Sequence, residues 1–578
     1  MRDITRPQAW APNATTMELL LASGPVTMTP TGGGWWQAEP LPPGTRYQFR
    51  IDDGMALPDP RSLSQPDGPH GASRIIDPVV LDRQSGVSVD LRGAVGYELH
   101  IGTFTPEGTF DAAICHLDHL VELGVQAVEV MPVADFPGSQ GWGYDGVGQY
   151  CVHHSYGGPE QFAAFIDACH MRGLGVILDV VHNHQGPEGN YLAQFGPYFT
   201  SAHHTPWGDA INLDQPGSRE VRDFLLGACR QWLVDFQVDG LRLDAVHELQ
   251  DDSPTHYLVE LSDAVRSWER ETGRRLTLFA ESDRNQPATV SPVGATSGAL
   301  GMGGQWADDV HHALHAFFTG ERDGYYVDFG TPEALKQALT RVFVHEGGFS
   351  TFRGQPWGAP VDPASGHYDG HSFVASLQNH DQVGNRAVGD RISHKTPLGC
   401  QAAGAALYLL SAFTPLIFMG EEWAASTPFP FFSDLGPELG PLVTQGRSSE
   451  FARMGWDAEV PDPQSSATRE SAVLRWDELS QPGHARMFEW YRSLLRLRRD
   501  HPELRDPDLA SVSVDILGDD AVVMRRGGFA VAATRGSQLV ELPLRGEVLV
   551  SWEETSQLAD GIRMQGPGAA VIRLDAPE

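Results

Sequence analysis

The sequence predicts a multidomain protein built on a central (β/α)8 barrel, the TIM barrel, with all-β domains at its N- and C-terminal ends. Three observations predict it. First, short apolar runs recur at residues 95–101, 127–133, 175–181, 240–245, 276–280, 373–377 and 415–419, with a weaker one near 305–308, which makes eight. Second, amphipathic helical patterns lie between several of them, and strands alternating with helices pair in parallel through helical crossovers. Third, the two ends of the chain read as short strands broken by Pro and Gly. A doubly wound open sheet is the competing solution, but no GxGxxG follows a first strand.

Residues 1–90 are expected to form an immunoglobulin-like β-sandwich, with strands at 17–22 and 47–51. Trp35 and Trp36, beside three glycines, suit a sandwich core and a carbohydrate platform equally well. The barrel is expected over 91–502. Within it, Phe162, Phe165, Ile166 and Cys169 fall at i, i+3, i+4 and i+7 of a helix closed by Gly173. Ser253–Pro254 is a capping signal for a second helix carrying Leu258, Leu261, Val265 and Trp268 and ended by Gly273. Residues 185–214 form a short excursion. A last helix is expected over 484–499, where Phe488, Trp490 and Tyr491 read as packing residues. Residues 503–578 return to β structure, with strands at 510–516, 521–524, 529–533, 548–552 and 569–574.

The 578 residues carry 41 Lys and Arg against 75 Asp and Glu, a formal charge of −34. Such a field repels nucleic acid and anionic membranes, so neither is expected as a partner. A phosphorylated ligand would need a locally basic pocket, and no cationic run supplies one. The five cysteines, an odd number with no CxxC pair, read as free thiols of a reducing, cytoplasmic compartment. The first 24 residues hold an apolar run of only four, Leu19 to Ala22, too short for a secretion signal or a membrane span.

A barrel enzyme keeps its chemistry at the C-terminal ends of its strands. The run 175–181 leads into Asp179, His182, Asn183 and His184. The run 240–245 holds Arg242 and Asp244. The run 276–280 ends in Glu281 and Asp283, and 373–377 in Gln378, Asn379, His380 and Asp381. Convergent carboxylates have a specific use: glycoside hydrolysis needs an acid to protonate the leaving oxygen and a carboxylate across the sugar. A retaining double displacement requires a separation of about 5–5.5 Å; adjacent barrel strands place their ends at about that scale, and Asp244 and Glu281 lie on consecutive strands. Arg242 lies two residues before Asp244, on the same strand face, and its charge favours the ionised carboxylate a nucleophile needs. A third carboxylate nearby would raise the pKa of Glu281, as an acid requires.

These four strand-end motifs, in this order and spacing, resemble the four signature regions of the alpha-amylase family, glycoside hydrolase family 13. The resemblance implies that Asp244 is the nucleophile, Glu281 the general acid/base and Asp381 the transition-state stabiliser. It places Arg242, His184, His380 and Gln382 at the substrate, with Asp179 and Asn183 in support. The loop Gly141–Trp142–Gly143–Tyr144–Asp145 matches the one that supplies a stacking tyrosine, Tyr144.

Residues 97–109, 244–248, 280–283, 306–312 and 378–386 are also similar to a trehalose-releasing subgroup of that family. Its members cleave the α-1,4-glucosidic bond next to the terminal trehalose of malto-oligosyltrehalose. That implies malto-oligosyltrehalose and trehalose as ligands, and a malto-oligosyltrehalose synthase as pathway neighbour. His247, Glu248, Asp283 and Asp308 would then reach the leaving sugars. No cofactor is expected. Some family members bind calcium near the residue matching Asn183, but 185–214 shows few clustered carboxylates, so no metal is expected.

Three other readings compete. The nearest is a glycogen branching or debranching type, or a general α-1,4-glucan hydrolase. His182 and His184 form an HxH that could ligate metal in a TIM-barrel amidohydrolase, though such enzymes carry HxH on the first strand. A non-catalytic binding protein would be expected to have lost a carboxylate, and all three are present. Asp308 or Asp309 could merely cap the next helix. The pairs His153–His154, His203–His204 and His311–His312 read as exposed loop or helix residues.

Overall fold

The computed structural model describes residues 2–83, 88–453 and 460–575. Eight parallel strands close into a barrel: β1 Gly96–Leu99, β2 Ala127–Val130, β3 Gly175–Val180, β4 Gly240–Leu243, β5 Thr277–Ala280, β6 Gly304–Trp306, β7 Phe373–Ser376 and β8 Thr414–Phe418, with β8 hydrogen-bonded to β1. Every strand residue is buried. Fully buried strands need apolar residues on both faces, so they read as continuous runs and not as alternating ones.

The barrel interior has two layers. The lower one is apolar and contains Ala127, Ile177, Phe279, Trp306, Val374 and Leu416, closed from below by Leu91. Side chains alternate between strand faces, so the next inward position is two residues on. Ala127 is thus followed by Glu129, Ile177 by Asp179 and Phe279 by Glu281. A charged layer therefore lies on top of an apolar plug.

The N-terminal region holds a five-stranded and a three-stranded antiparallel sheet. Met17, Leu19, Tyr47 and Phe49 fill its core. Trp35 and Trp36 are half-buried and spend their indole N–H groups internally, Trp35 on Glu220 Oε2 at 3.2 Å and Trp36 on the Ala11 carbonyl at 3.3 Å. The C-terminal region holds a five-stranded sheet and a three-stranded one. The three-stranded sheet uses Leu539–Leu542, Thr555–Leu558 and Gly561–Gln565, none of which the hydrophobic pattern reveals. Leu539–Leu542 and Thr555–Leu558 are half exposed, so their apolar signal is weak.

Helix Leu398–Leu409 is buried along its whole length from Gly399 onward. It packs against helices Asp308–Thr319 and Pro482–Asp500 on one side and C-terminal strands Phe529–Thr534 and Gly568–Leu574 on the other. Trp490 and Tyr491 pack from the last helix, donating to the Ala402 carbonyl and Glu421 Oε1 at 2.9 and 2.8 Å. Buried Arg498 donates to the carbonyls of Leu409, Ser411 and Phe413 at 2.9–3.0 Å, satisfying the chain as it leaves the buried helix.

Two local expectations are corrected. The helix expected from Ser253–Pro254 starts at Tyr257, with His256 Nδ1 accepting the Leu258 N–H at 3.1 Å. Ser253 does not cap it: its oxygen accepts from Arg222 Nη2 at 2.6 Å, and Asp251 Oδ2 accepts the Tyr257 N–H at 2.6 Å. The histidine pairs are not all exposed. His153 is buried, stacked on Phe136 with centroids 3.8 Å apart, and His311 is buried against His315. No helix of the described residues is long and apolar enough to cross a membrane.

Candidate active site

Arg242 organises the charged layer. Its guanidinium sits 4.5 Å from the Trp306 ring centroid, resting on the apolar plug. Nη1 donates to Asp179 Oδ2 at 2.8 Å and to Asp244 Oδ1 at 2.9 Å, while Nη2 lies 3.1 Å from Glu281 Oε2. One fully buried cation thus touches carboxylates from β3 and from the ends of β4 and β5. Burial alone would push the Arg242 pKa down; the carboxylates of Asp179, Glu281 and Asp244 drive it well up, so the charge is permanent. A buried charge is tolerable only when paired, and here Asp179 and Asp244 accept hydrogen bonds while Glu281 adds a third opposite charge.

The turn after β4 is strained for a purpose. Ala245 adopts φ 37°, ψ 54°, the left-handed region that a non-glycine residue enters at a cost of about 1–2 kcal/mol. That conformation aims its N–H at Glu281 Oε2, 2.7 Å away. Glu281 is therefore held by a backbone donor and by Arg242, on the strand next to the one that carries Asp244.

Tyr144 enters from the loop after β2. Gly143 has φ 97°, and a Cβ there would lie 2.2 Å from the Pro132 carbonyl oxygen, so only glycine allows the turn. The Tyr144 hydroxyl donates to Asp179 Oδ2 and its ring stacks on His380, centroids 5.0 Å apart. Burial, against the pull of Arg242, raises the Asp179 pKa to about 7.

His380 is the first residue of the short helix after β7. Its Nδ1 donates to Glu98 Oε1 at 2.5 Å and its backbone N–H to Glu98 Oε2 at 2.8 Å. Burial pulls the imidazole pKa down, but the Glu98 carboxylate outweighs it and lifts the group to about 9. Because the folded value lies above the unfolded 6.5, the pair stabilises the fold in full below about pH 6.5 and loses that contribution as pH rises through about 9. Glu98→Gln is accordingly expected to shift the alkaline limb of the activity profile downward by at least about one pH unit, read from kcat/KM against pH.

Asp381 follows His380 and takes an N–H of Asn385 at 2.7 Å. Burial raises its pKa, His380 lowers it and Glu281 raises it again. Asp308 is half-buried and pushed well above the carboxylate range, first by burial and then by Glu281 and Asp381. It does not cap its helix: the N-cap is Ala307. Asp309 has the structural role, accepting from the Val344 and His345 N–H groups at 2.7 and 2.9 Å.

The other expected residues fall in two places. His184 sits by the Tyr144 carbonyl at 3.1 Å and is held low, to about 4, by burial. On the flank beyond Glu281, His247 Nε2 lies 3.7 Å from Asp283 Oδ1 and 3.9 Å from Glu248 Oε1. Asn183 is buried with both amide atoms unpartnered among the described residues, and Gln382 accepts from the Tyr325 hydroxyl at 3.4 Å. The HxH does not converge: His182 faces Tyr257, 3.2 Å from its hydroxyl, and His184 faces away toward Trp207.

Sequence reasoning missed several neighbours. Trp207, half exposed at the tip of hairpin Phe199–Ile211, stacks on His184 at 4.2 Å. Arg353 pairs with Asp283 Oδ2 at 2.9 Å and lies over the Trp357 ring, whose N–H reaches the Asp283 carbonyl at 2.7 Å. Glu98 sits in the first strand. The first three lie in loops with no periodic signal, but the inward parity of Glu98 and Glu129 on paired strands could have been noticed.

Comparison with known proteins shows the family. Residues 67–205 match the model of the alpha amylase catalytic domain. The malto-oligosyltrehalose trehalohydrolase of Arthrobacter ramosus is 46% identical over 98% of this chain and 99% of its own, and that of Mycobacterium tuberculosis 43% identical over 99% of both. A crystal structure from Salmonella typhimurium, classed provisionally as an alpha amylase, is 37% identical and superposes with a TM-score of 0.89 over 99% of this chain and 97% of that one. With an eight-stranded parallel barrel and this likeness along nearly its full length, the chain belongs to the malto-oligosyltrehalose trehalohydrolases of the alpha-amylase family.

Proposed function

We propose that the protein is a retaining glycoside hydrolase that cleaves the α-1,4-glucosidic bond next to the terminal trehalose of malto-oligosyltrehalose and releases trehalose. One observation carries the chemistry: the two ends of a single buried guanidinium hold Asp244 and Glu281, on adjacent strands, facing one site. The Asp244 carboxylate attacks the anomeric carbon while Glu281 gives its proton to the leaving glycosidic oxygen. Glu281 then takes a proton from water, which displaces Asp244 and restores the starting configuration. Asp381 hydrogen-bonds the sugar hydroxyls as positive charge builds on the ring, and Tyr144 and His380 form the floor beneath it. An enzyme that builds the trehalose end onto a malto-oligosaccharide must supply the substrate. The same reading divides the chain at about residues 90 and 502, within a cytoplasmic protein.

Specificity must come from the leaving-group side, because the carboxylates are common to the whole reaction class. His247, Glu248, Asp283 and Asp308 line that side, with Arg353 holding Asp283 in place. Sites that hydrogen-bond particular hydroxyls lose about 1–3 kcal/mol for each group left unpaired. Glu248→Ala and Asp308→Ala are each expected to lower kcat/KM about tenfold for malto-oligosyltrehalose and much less for maltopentaose. An equal fall on both substrates would return these residues to a supporting role. Product analysis tests the reading itself: free trehalose should dominate from malto-oligosyltrehalose, and equally fast internal cleavage of plain maltodextrin would reduce the protein to a general α-glucan hydrolase.

A further inference from the structure

At the opposite end of the barrel, below the apolar plug, lies a second cavity of about 350 Å³. Its lining includes Arg92, Arg498, Arg499, Arg505 and His371, with Asp90 as its one carboxylate. Three of the arginines lie close together in sequence, at the end of the last helix and in the turn after it, and the fold brings Arg92, from the segment before β1, to join them. In a chain of formal charge −34 this concentration of positive charge runs against the composition.

The charges are poorly balanced within the fold. Asp90 is engaged by Arg275 at the rim. Arg92 pairs with Asp369 at 2.6 Å and Arg499 with Asp500 at 3.1 Å. Arg498 is buried with both Nη groups donating to main-chain carbonyls, so it contributes an unpaired charge but no free donor, and Arg505 is exposed with no ion pair among the described residues. Burial, together with the charges of Arg526 and Arg505, pushes Arg498 down to about 9. The His371 Nε2 is likewise buried without a hydrogen-bond partner among the described residues. One wall, by contrast, is apolar: Val95, Val125 and Leu495.

A cavity of this size, with guanidinium groups on one side and an aliphatic wall on the other, matches a small organic anion. Guanidinium pairs with phosphate oxygens through two parallel N–H donors, the strongest arrangement such a group makes. The size falls at the lower end of the range for small-molecule pockets, about 300–1,000 Å³. Neither the substrate nor the product of the proposed reaction is charged, so this cavity has no part in that reaction. We propose that the cavity at the N-terminal end of the barrel, lined by Arg92, Arg499 and Arg505 with the charge of Arg498 behind them, binds a phosphomonoester of about the size of a sugar phosphate.

The test is calorimetric titration of the full-length protein at low ionic strength with glucose 6-phosphate, inorganic phosphate and glucose. Glucose 6-phosphate should bind at a single saturable site and glucose should not bind there. Arg505→Gln, an exposed side chain outside the catalytic site, should weaken the phosphate ligand at least about tenfold while leaving hydrolysis of malto-oligosyltrehalose unchanged. Arg92→Gln should weaken it as well, giving a second variant should the first prove unstable. Inorganic phosphate binding as tightly as glucose 6-phosphate would assign the site to the phosphate group alone and overturn the phosphomonoester assignment. Absence of saturable binding, or binding that both variants leave untouched, would overturn the site.

Discussion

Asp244→Ala is expected to remove nearly all turnover, by at least about 10⁴-fold in kcat, with the fold retained. The size of the loss reflects the covalent step: without a carboxylate at the end of β4 no glycosyl–enzyme bond can form. The fold is retained because Arg242 keeps Asp179 at 2.8 Å and Glu281 at 3.1 Å when Asp244 is gone. Circular dichroism and thermal unfolding of the variant should therefore resemble those of the parent while product formation falls to background. NMR of the parent's first product adds a stereochemical check, because two displacements at one carbon return the α-anomer. An initial β-anomer would exclude the double displacement whatever the mutants show.

Glu281→Gln should reduce hydrolysis of natural glycosides by about 10²–10⁴-fold, the usual worth of a positioned acid. The substituted side chain can still accept from the Ala245 N–H, now at 2.7 Å from Oε2, so its position should hold. The proton is lost. A sugar leaving group departs as an alkoxide without it, whereas an activated phenol needs little help. The deficit should therefore shrink sharply on an aryl glycoside that the site accepts, and a slowly hydrolysed glycosyl–enzyme should accumulate visibly. Loss by the same factor on both substrates would place the acid elsewhere, with Asp308 and its raised pKa the next residue to replace.

Much of this arrangement was legible in the sequence because barrel enzymes tie chemistry to strand ends. Strands buried on both faces announce themselves as apolar runs, and Asp244, Glu281 and Asp381 are found at or just past the ends of three of those runs. Arg242 was legible for the same reason, two residues upstream on the same face. Glu98 was not, since one glutamate inside an apolar strand looks like an interruption until its partner His380, 282 residues away, is in view. Trp207, Arg353 and Trp357 lie in loops, where contacts are set by folding and not by period. The basic cavity was hidden in part: Arg498, Arg499 and Arg505 are close in sequence, but Arg92, 406 residues before Arg498, joins them only after the barrel closes. Ser253–Pro254 misled because the serine oxygen is taken by Arg222, which no local pattern announces.

Helix Leu398–Leu409, buried on all sides, governs how the protein comes apart. A helix with no wet face cannot exist at the surface of a trimmed barrel, so the C-terminal sheet is a lid on the barrel's own core and not an appendage. Separating the two would lay bare a buried face of that helix. Heat or denaturant should consequently melt barrel and C-terminal sheet in one cooperative step, and a chain shortened before residue 503 should collect as aggregate instead of as a smaller enzyme.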